Sequence, residues 1–589
     1  MRLKFLEELD FLFIQIIMKF VAFLSFVGHV AALWPAPQSF TNGSSTVWIA
    51  EDFQVSYNQQ DLPQPKAGVK TISSLEIVAA AVQRTRESIF TSSIVPWKFH
   101  PRNELDKFEP PATGSKTYIR KLQITQTTKD SNSTFKPLAG TVDETYNLTI
   151  ATNGAATISA VSSTGILRAL ETFTQLFYSH SVNGTGVYSN LAPVSISDWP
   201  KFNHRGLDLD VSRNWYPKEH ILRTIDALSW NKFNRFHIHI TDAQAWPLDV
   251  PALPELSQKG AYQAGLSYTP QDIEDIQIYG IYRGIEVIIE IDMPGHTTAI
   301  GFAYPDLITA FRQQSWHDYC SEPPCGQLKL NSTPVYDFVT KLFDDVLPRL
   351  SPYSAYFHTG GDEIEASDYL LDDTVNSNDT AVITPLLQKF VDHSHDLVRK
   401  AGLVPIVWQE LLLTWNITLG KDVILQTWDG GSALSKVTAQ GHKALFGDTD
   451  SWYLACGHGK WFNFEDADIP ANYPYADFCS PINNWRVVWE YDPTASLSAE
   501  QAALVIGGEI HLFSEQSDPS NLDTMVWPRS SAAGENMWSG RRTPSGQNRS
   551  QVDAAVRLSD MRERMVSRGI NLAPVQMAWC TQYGGDCTW

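Results

Sequence analysis

Between Gly206 and Gly508 the chain repeats one unit: a short apolar strand, a loop and, in several places, a helical run. The strands read as Gly206–Val211, Arg235–Thr241, Ile285–Ile291, Tyr356–Thr359, Val404–Val407, Val423–Thr427, Lys443–Gly447 and Leu504–Gly508. The segments joining them are too long for hairpin turns and fit the crossovers that parallel strands require. Two helical runs, Pro217–Trp230 and Pro334–Leu347, open on a proline, whose missing N–H costs nothing in a first turn. Eight such strands admit a closed (β/α)8 TIM barrel or a doubly wound open sheet. Residues at the strand ends favour the barrel.

Ahead of the barrel, residues 33–200 read as a small α+β domain that includes a propeptide segment. Up to Pro110 it shows one helical run, Ser74–Ser88, and much coil. Lys116–Thr125 and Glu144–Ile150 read as strands; in the second, Tyr146, Leu148 and Ile150 alternate with Thr145, Asn147 and Thr149. Ile166, Leu170, Phe173 and Phe177 follow at helical spacing. The barrel domain, 201–589, ends in a helix over Val552–Ser567 and a tail carrying Cys580 and Cys587.

The route of the chain is also legible. Phe20–Val27 is an apolar h-region, and Val30-Ala31-Ala32 offers a cleavage site, so 1–32 reads as a signal peptide. Glu7, Glu8 and Asp10 do not suit a basic leader, which points to Met18 as the initiator; an uncleaved anchor is the alternative. Six cysteines fall as three close pairs, Cys320 with Cys325, Cys456 with Cys479 and Cys580 with Cys587, as expected of short-range disulfides in an oxidising compartment. Eight Asn-x-Ser/Thr sequons lie at Asn42, Asn132, Asn147, Asn183, Asn331, Asn378, Asn416 and Asn548. A secreted protein, free of the membrane after signal cleavage, is expected. A net charge of −20 excludes a nucleic-acid backbone as partner.

In a barrel the active site lies at the C-terminal ends of the strands, and that is where polar and aromatic residues collect here. Arg213 follows the first strand, Asp242 the second, Asp292 and His296 the third, and Asp362-Glu363 the fourth. Trp408 and Trp428 end the fifth and sixth; Trp452-Tyr453 lies beyond the seventh, and Phe513 and Glu515 beyond the eighth. Gly360 and Gly361 permit the turn that brings Asp362 and Glu363 to one pocket. Crowded carboxylates hold one another protonated, which is how a site obtains an acid and a base from similar groups. His237 and His239, two apart on a strand, share a face and with Asp242, His296 and His358 have the spacing of a metal site; a packed, hydrogen-bonded pair is the alternative.

These motifs resemble glycoside hydrolase family 20, the β-N-acetylhexosaminidases, most closely its secreted fungal type. His358-Thr-Gly-Gly-Asp-Glu363 matches the family's His-x-Gly-Gly-Asp-Glu block, and His237-Ile-His-Ile-Thr-Asp242, Asp292-Met-Pro-Gly-His296 and Ile406-Val-Trp-Gln-Glu410 match others in order. The resemblance implies a zincin-like first domain, a catalytic barrel, no metal or other cofactor, and a homodimer. It implies N-acetylhexosamine-terminated oligosaccharides as substrates, cleaved with retention through an oxazolinium formed by the substrate's own acetamido group. Glu363 then corresponds to the acid/base, Asp362 to the group that holds the acetamido N–H, and Tyr453 to the donor on its oxygen. Arg213 corresponds to the fork on ring hydroxyls, Asp242 and His296 to the pair that tunes the acid, Glu515 to a further substrate-binding residue, and Trp408, Trp428 and Trp452 to pocket walls.

Two positions depart from the family pattern. Ala455 stands where Tyr-Leu-Asp is usual, and Phe513 where Leu-Trp is usual. They remove a hydroxyl-gripping carboxylate and shrink the subsite floor. Three readings follow: an exo-acting β-N-acetylhexosaminidase, a weakly active paralogue that mainly binds sugar, and a metal-dependent hydrolase.

Overall fold

The computed structural model describes residues 32–63 and 72–589, so the leader expected over 1–32 lies, all but its last residue, outside the described residues. Seven strands form the first sheet: β1 (Ser39–Tyr57), β2 (Gln60–Asp61), β3 (Tyr118–Gln126), β4 (Tyr146–Ile150), β5 (Ala156–Ala160), β6 (Tyr178–Ser179) and β7 (Val187–Asp198), in the order β2-β1-β3-β5-β4-β7-β6. Helices α1 (Ser74–Phe90) and α2 (Ser163–Gln175) share one apolar core with it. Each helix starts on a serine, Ser73 or Ser162, whose hydroxyl accepts the backbone N–H three residues on. The alternation read in β4 holds: Tyr146, Leu148 and Ile150 are buried, Asn147 and Thr149 exposed. All eight sequon asparagines are exposed, which glycan transfer requires.

The long β1 corrects the expectation of coil before Pro110. Asn42-Gly-Ser-Ser45 has turn composition, yet it lies in the part of β1 that pairs β7, ahead of the stretch from Trp48 that pairs β3, and its irregularity survives as register shifts around Ser45. Pairing with β7 overrides local propensity there.

The second sheet is the closed barrel: β8 (His204–Asp210), β9 (Arg235–His239), β10 (Glu286–Glu290), β13 (Tyr356–His358), β14 (Val404–Trp408), β15 (Ile424–Gln426), β16 (Lys443–Phe446) and β17 (Val505–Leu512). A small pair, β11 (Ile308–Thr309) and β12 (Gln327–Leu328), sits in the connection after β10. All barrel neighbours are parallel, and β17 closes on β8 from Gly507↔His204 to Leu512↔Leu209, which removes the open-sheet alternative. Between the strands run α3 (Lys218–Trp230), α4 (Pro270–Ile281), α5 (Thr333–Leu350), α6 (Thr380–Lys400) and α7 (Ala433–Ala439), and α8 (Arg529–Ser539) and α9 (Gln551–Ser567) follow the last. Residues alternate along each strand: Phe236, Ile238, Val287, Ile289, Ile510 and Leu512 join the core between strands and helices. Inside, Ile288, Tyr356, Ile406, Ile424 and Leu445 make one apolar layer. Among the described residues no helix is long and apolar enough to cross a membrane. The three cysteine pairs are the three disulfides.

Buried ions join sheet and barrel. Lys232 Nζ donates to Asp198 Oδ2 at 2.8 Å, and Glu144 accepts from Arg168 Nε at 2.8 Å and Arg205 Nη2 at 2.7 Å. Burial pushes the Glu144 carboxyl up, but the two guanidinium groups outweigh it and bring its pKa down to about 2. A carboxylate depressed by folding stabilises the native state above its unfolded pKa, near 4.5, and loses that contribution as the pH falls through about 2. Glu144→Gln should therefore cost about 3 kcal/mol at pH 7, read by denaturant melts, and the gap to wild type should close as the pH falls to about 2. A gap that stays constant over that range would refute the assignment.

Candidate active site

The site grows from the end of β13. Backbone φ is +69° at Gly360 and +101° at Gly361, and a Cβ at Gly360 would meet Asp292 Oδ1 at 1.7 Å. Only glycine fits there. Glu363 itself sits at φ +47° and His296 at +53°, so both are held in a conformation that costs free energy for a non-glycine residue. Gly361 N donates to Asp292 Oδ1 at 2.7 Å, which ties the turn to the end of β10.

Asp292 and Asp362 form a buried carboxyl pair. Asp292 Oδ2 and Asp362 Oδ1 meet no N–H or O–H donor, and a proton held between the two carboxyls satisfies both. Burial, then the Asp362 charge, pushes Asp292 well above the usual carboxylate range, so Asp292 carries that proton. Burial also raises Asp362, against the pull of a charged His296.

Glu363 ends a buried chain of alternating carboxylates and imidazoles. His296 Nε2 stands 3.3 Å from Glu363 Oε2, and His296 Nδ1 lies 3.0 Å from Asp242 Oδ1. Asp242 Oδ2 lies 2.6 Å from His239 Nε2, and His239 Nδ1 lies 2.6 Å from Glu290 Oε2. Glu290 also accepts from Trp408 Nε1 at 2.8 Å and lies 2.8 Å from His358 Nδ1. Burial opposes charge on His296, but Asp242 and Asp362 outweigh it and hold its pKa well above the ordinary histidine range. His239 is raised in the same way by Glu290 and Asp242. With both nitrogens turned to carboxylates, His239 has no lone pair for a metal, so the geometry supports the hydrogen-bonded reading of the His237–His239 pair.

Arg213 completes Asp242's surroundings: Nη1 lies 2.7 Å from Asp242 Oδ2, and Nη2 and Nε lie 2.5 and 2.8 Å from Glu322 Oε1. Its guanidinium also lies 5.4 Å from the ring centre of Phe513. Phe513 in turn stacks on Tyr453 at 5.4 Å and 20°. Burial, then the Glu515 and Glu363 charges, hold the Tyr453 phenol well above its usual range, so it remains a donor. Trp428 reaches Tyr453 at 6.3 Å and donates to Glu410 Oε1 at 2.7 Å. Burial, then the Glu322 charge, push Glu515 up to about 8.

One expected wall residue is not in the pocket. Trp452 is fully buried behind it, packed on Phe446 at 4.8 Å, with its N–H donated to Val488 O at 3.1 Å. The short helix after β16 turns Trp452 into the core and Tyr453 to the mouth. Trp408 is 1% exposed, with its N–H taken by Glu290, so it underlies the site rather than standing as a free wall. Sequence reading missed Glu322, Glu410 and Gln327. Gln327 accepts from Glu365 N at 3.1 Å and donates to Glu365 O at 3.0 Å, fixing the loop after Glu363. The available signal for Glu322 was its place between the paired Cys320 and Cys325.

Comparison with known proteins agrees with this geometry. Residues 202–541 match the model of Glycosyl hydrolase family 20, catalytic domain, and residues 33–176 match that of beta-acetyl hexosaminidase like. A beta-hexosaminidase of Arthroderma benhamiae is 40% identical over 602 residues, 96% of this chain and 98% of its own. A chitooligosaccharidolytic beta-N-acetylglucosaminidase of Ostrinia furnacalis is 32% identical over 479 residues, 78% of this chain and 77% of its own. The X-ray structure of Flavobacterium johnsoniae chitobiase superposes with a TM-score of 0.67 at 25% identity, over 92% of this chain and 73% of that one. With the catalytic-domain match covering the whole barrel and its turn of Asp362 and Glu363, this chain belongs to glycosyl hydrolase family 20.

Proposed function

We propose that this glycoside hydrolase removes terminal, non-reducing GlcNAc or GalNAc from chitin oligosaccharides and glycoconjugates, with retention, using the substrate's acetamido oxygen as the nucleophile. The observation that carries this reading is the unequal pair at the end of β13. The Glu363 side chain is 29% exposed and touches His296; the Asp362 side chain is 13% exposed and is paired with the buried Asp292, whose carboxyl is pushed well above the usual range. Glu363 is therefore placed to trade a proton with the leaving oxygen and then with water. Asp362, kept ionised by the proton on Asp292, receives the acetamido N–H and stabilises the positive charge of the oxazolinium. Tyr453 donates to the acetamido oxygen as it attacks, and Arg213 and Glu515 take ring hydroxyls.

The chain behind Glu363 supports its double duty. A charged His296 favours the carboxylate that forms as the proton leaves, and Asp242 keeps His296 charged. A histidine pKa raised by folding means the charge is lost only as the pH rises through the raised value. Asp242→Asn should bring that value down, so the alkaline limb of the kcat profile should move to lower pH; an unmoved limb would count against the relay. Glu363→Gln should abolish turnover of poor leaving groups and spare the first step with very good ones. Asp362→Asn should lower kcat by about a hundredfold or more. Equal losses on both leaving groups in the Glu363 variant would remove it as the acid.

Ala455 favours a second reading, a paralogue of low turnover that serves mainly to bind sugar. Loss of one charge-assisted hydrogen bond is worth about 1.5–3 kcal/mol, or roughly tenfold to a hundredfold in kcat/KM. Ala455→Asp should recover part of that on terminal GlcNAc, and Phe513→Trp should add to it. Lower activity in both variants, with a fast wild type, would mean that the pocket is built around Ala455 and Phe513.

We further propose secretion, supported by three disulfides and eight exposed sequons. Recovery of glycosylated enzyme from the culture medium, with an N-terminus near residue 33, tests it; retention in the cell speaks against it.

A further inference from the structure

The small ribbon of β11 and β12 pairs Ile308 with Leu328 and Thr309 with Gln327. Opposed residues share a face, so the ribbon has an apolar side and a polar side. Ile308 and Leu328 join the core between strands and helices. Thr309 and Gln327, both buried, face the chain that follows Glu363.

That chain is gripped twice, at Glu365 and at Asp368. Gln327 takes both backbone groups of Glu365, and its Nε2 also donates to Asp368 Oδ2 at 2.9 Å. Thr309 Oγ1 donates to Asp368 O at 2.9 Å, and within the turn Asp368 N donates to Glu365 O at 3.3 Å. The same ribbon holds the segment that carries Asp292 and His296: Leu328 N donates to Pro294 O at 3.0 Å, and Thr298 Oγ1 to Gly326 O at 3.2 Å. One element thus fixes the Glu363 loop against the His296 loop, and the two side chains stand 3.3 Å apart.

Two members of this arrangement are costly. Glu363, at φ +47°, relaxes unless the residues after it are pinned. Asp368 is fully buried, its Oδ1 meets no donor, and among the described residues only Gln327 donates to its carboxyl. Burial, with the Glu365 charge, outweighs the Gln327 bond and pushes that carboxyl up to about 7. An apolar residue would cost the fold less there. What the carboxyl supplies is an anchor for the amide that pins Glu365.

We propose that Gln327 and Asp368 are positioning residues for Glu363: the amide, anchored on the Asp368 carboxyl, holds the strained turn in the arrangement that keeps Glu363 at His296 and at the leaving oxygen. This rests on the reading of Glu363 as the acid.

The test compares aryl N-acetylglucosaminides with poor and good leaving groups. Gln327→Met removes the amide, and Asp368→Leu removes only its anchor. Each should lower kcat on the poor leaving group about ten- to hundredfold, hold KM within about twofold, and cost far less on the good one. Asp368→Asn keeps an oxygen for the amide and should recover most of the kcat lost in the Leu variant. Equal losses on both leaving groups, losses carried by KM, or an Asn variant as slow as the Leu variant would overturn the proposal. Each position reads the leaving-group ratio by itself, so misfolding of one variant leaves the test standing. Glu363→Gln is the control. With no leaving-group split in that variant the acid assignment falls; a split there and none in the Gln327 variant removes the positioning role alone.

Discussion

Charge compensation inside the barrel underlies the rest of this structure. Most barrels of this kind are filled by apolar layers; here one apolar layer is followed by buried acids and imidazoles. Glu509 lies 2.6 Å from His204 Nε2 and 2.9 Å from His237 Nδ1, while Glu290 holds His239 and His358. Such groups are poor stabilisers compared with a packed apolar core, and removal of one partner strands the other. What they supply is a set of fixed charges at known distances beneath the mouth. Each strand delivers them by alternation, since the residues between them belong to the outer core.

That arrangement explains why paired carboxylates at the mouth differ. Asp292 is pushed well above the usual carboxylate range by burial and the Asp362 charge, whereas Asp242 is held well below it, against burial, by Arg213 and His296. Similar side chains, all at strand ends, take opposite protonation states from their neighbours.

The barrel was legible because strands buried on both faces read as apolar runs, and the strand-end residues were legible because they follow those runs directly. What escaped was whatever depends on pairing or on reach. β1 hides behind a turn-like Asn42-Gly-Ser-Ser45 and is held by partners 67 to 158 residues away. Trp428 and Trp452 look alike in sequence, yet Trp428, just past β15, reaches the site, while the short helix after β16 turns Trp452 into the core. Glu322 reaches the site from a loop and leaves no periodic trace, while Glu410, at the start of a short helix just past β14, closes a recognised block without a signal of its role.

Trp34 has a consequence for the order of assembly. Its indole donates to Ser531 O in α8, and Arg557 of α9 donates to the neighbouring Leu33 O. β8, the first barrel strand, likewise waits for β17 to close the ring. On the ribosome, the first domain emerges with about two thirds of the chain still to be made, and its leading segment, already held to Gln175 through Trp34 N and O, meets α8 and α9 only when the last helices appear. The Leu33–Trp34 segment and the last helices are thus joined late. A nascent chain of this protein can form local helices and the first sheet early, but its exposed strand edges stay open until translation is almost over.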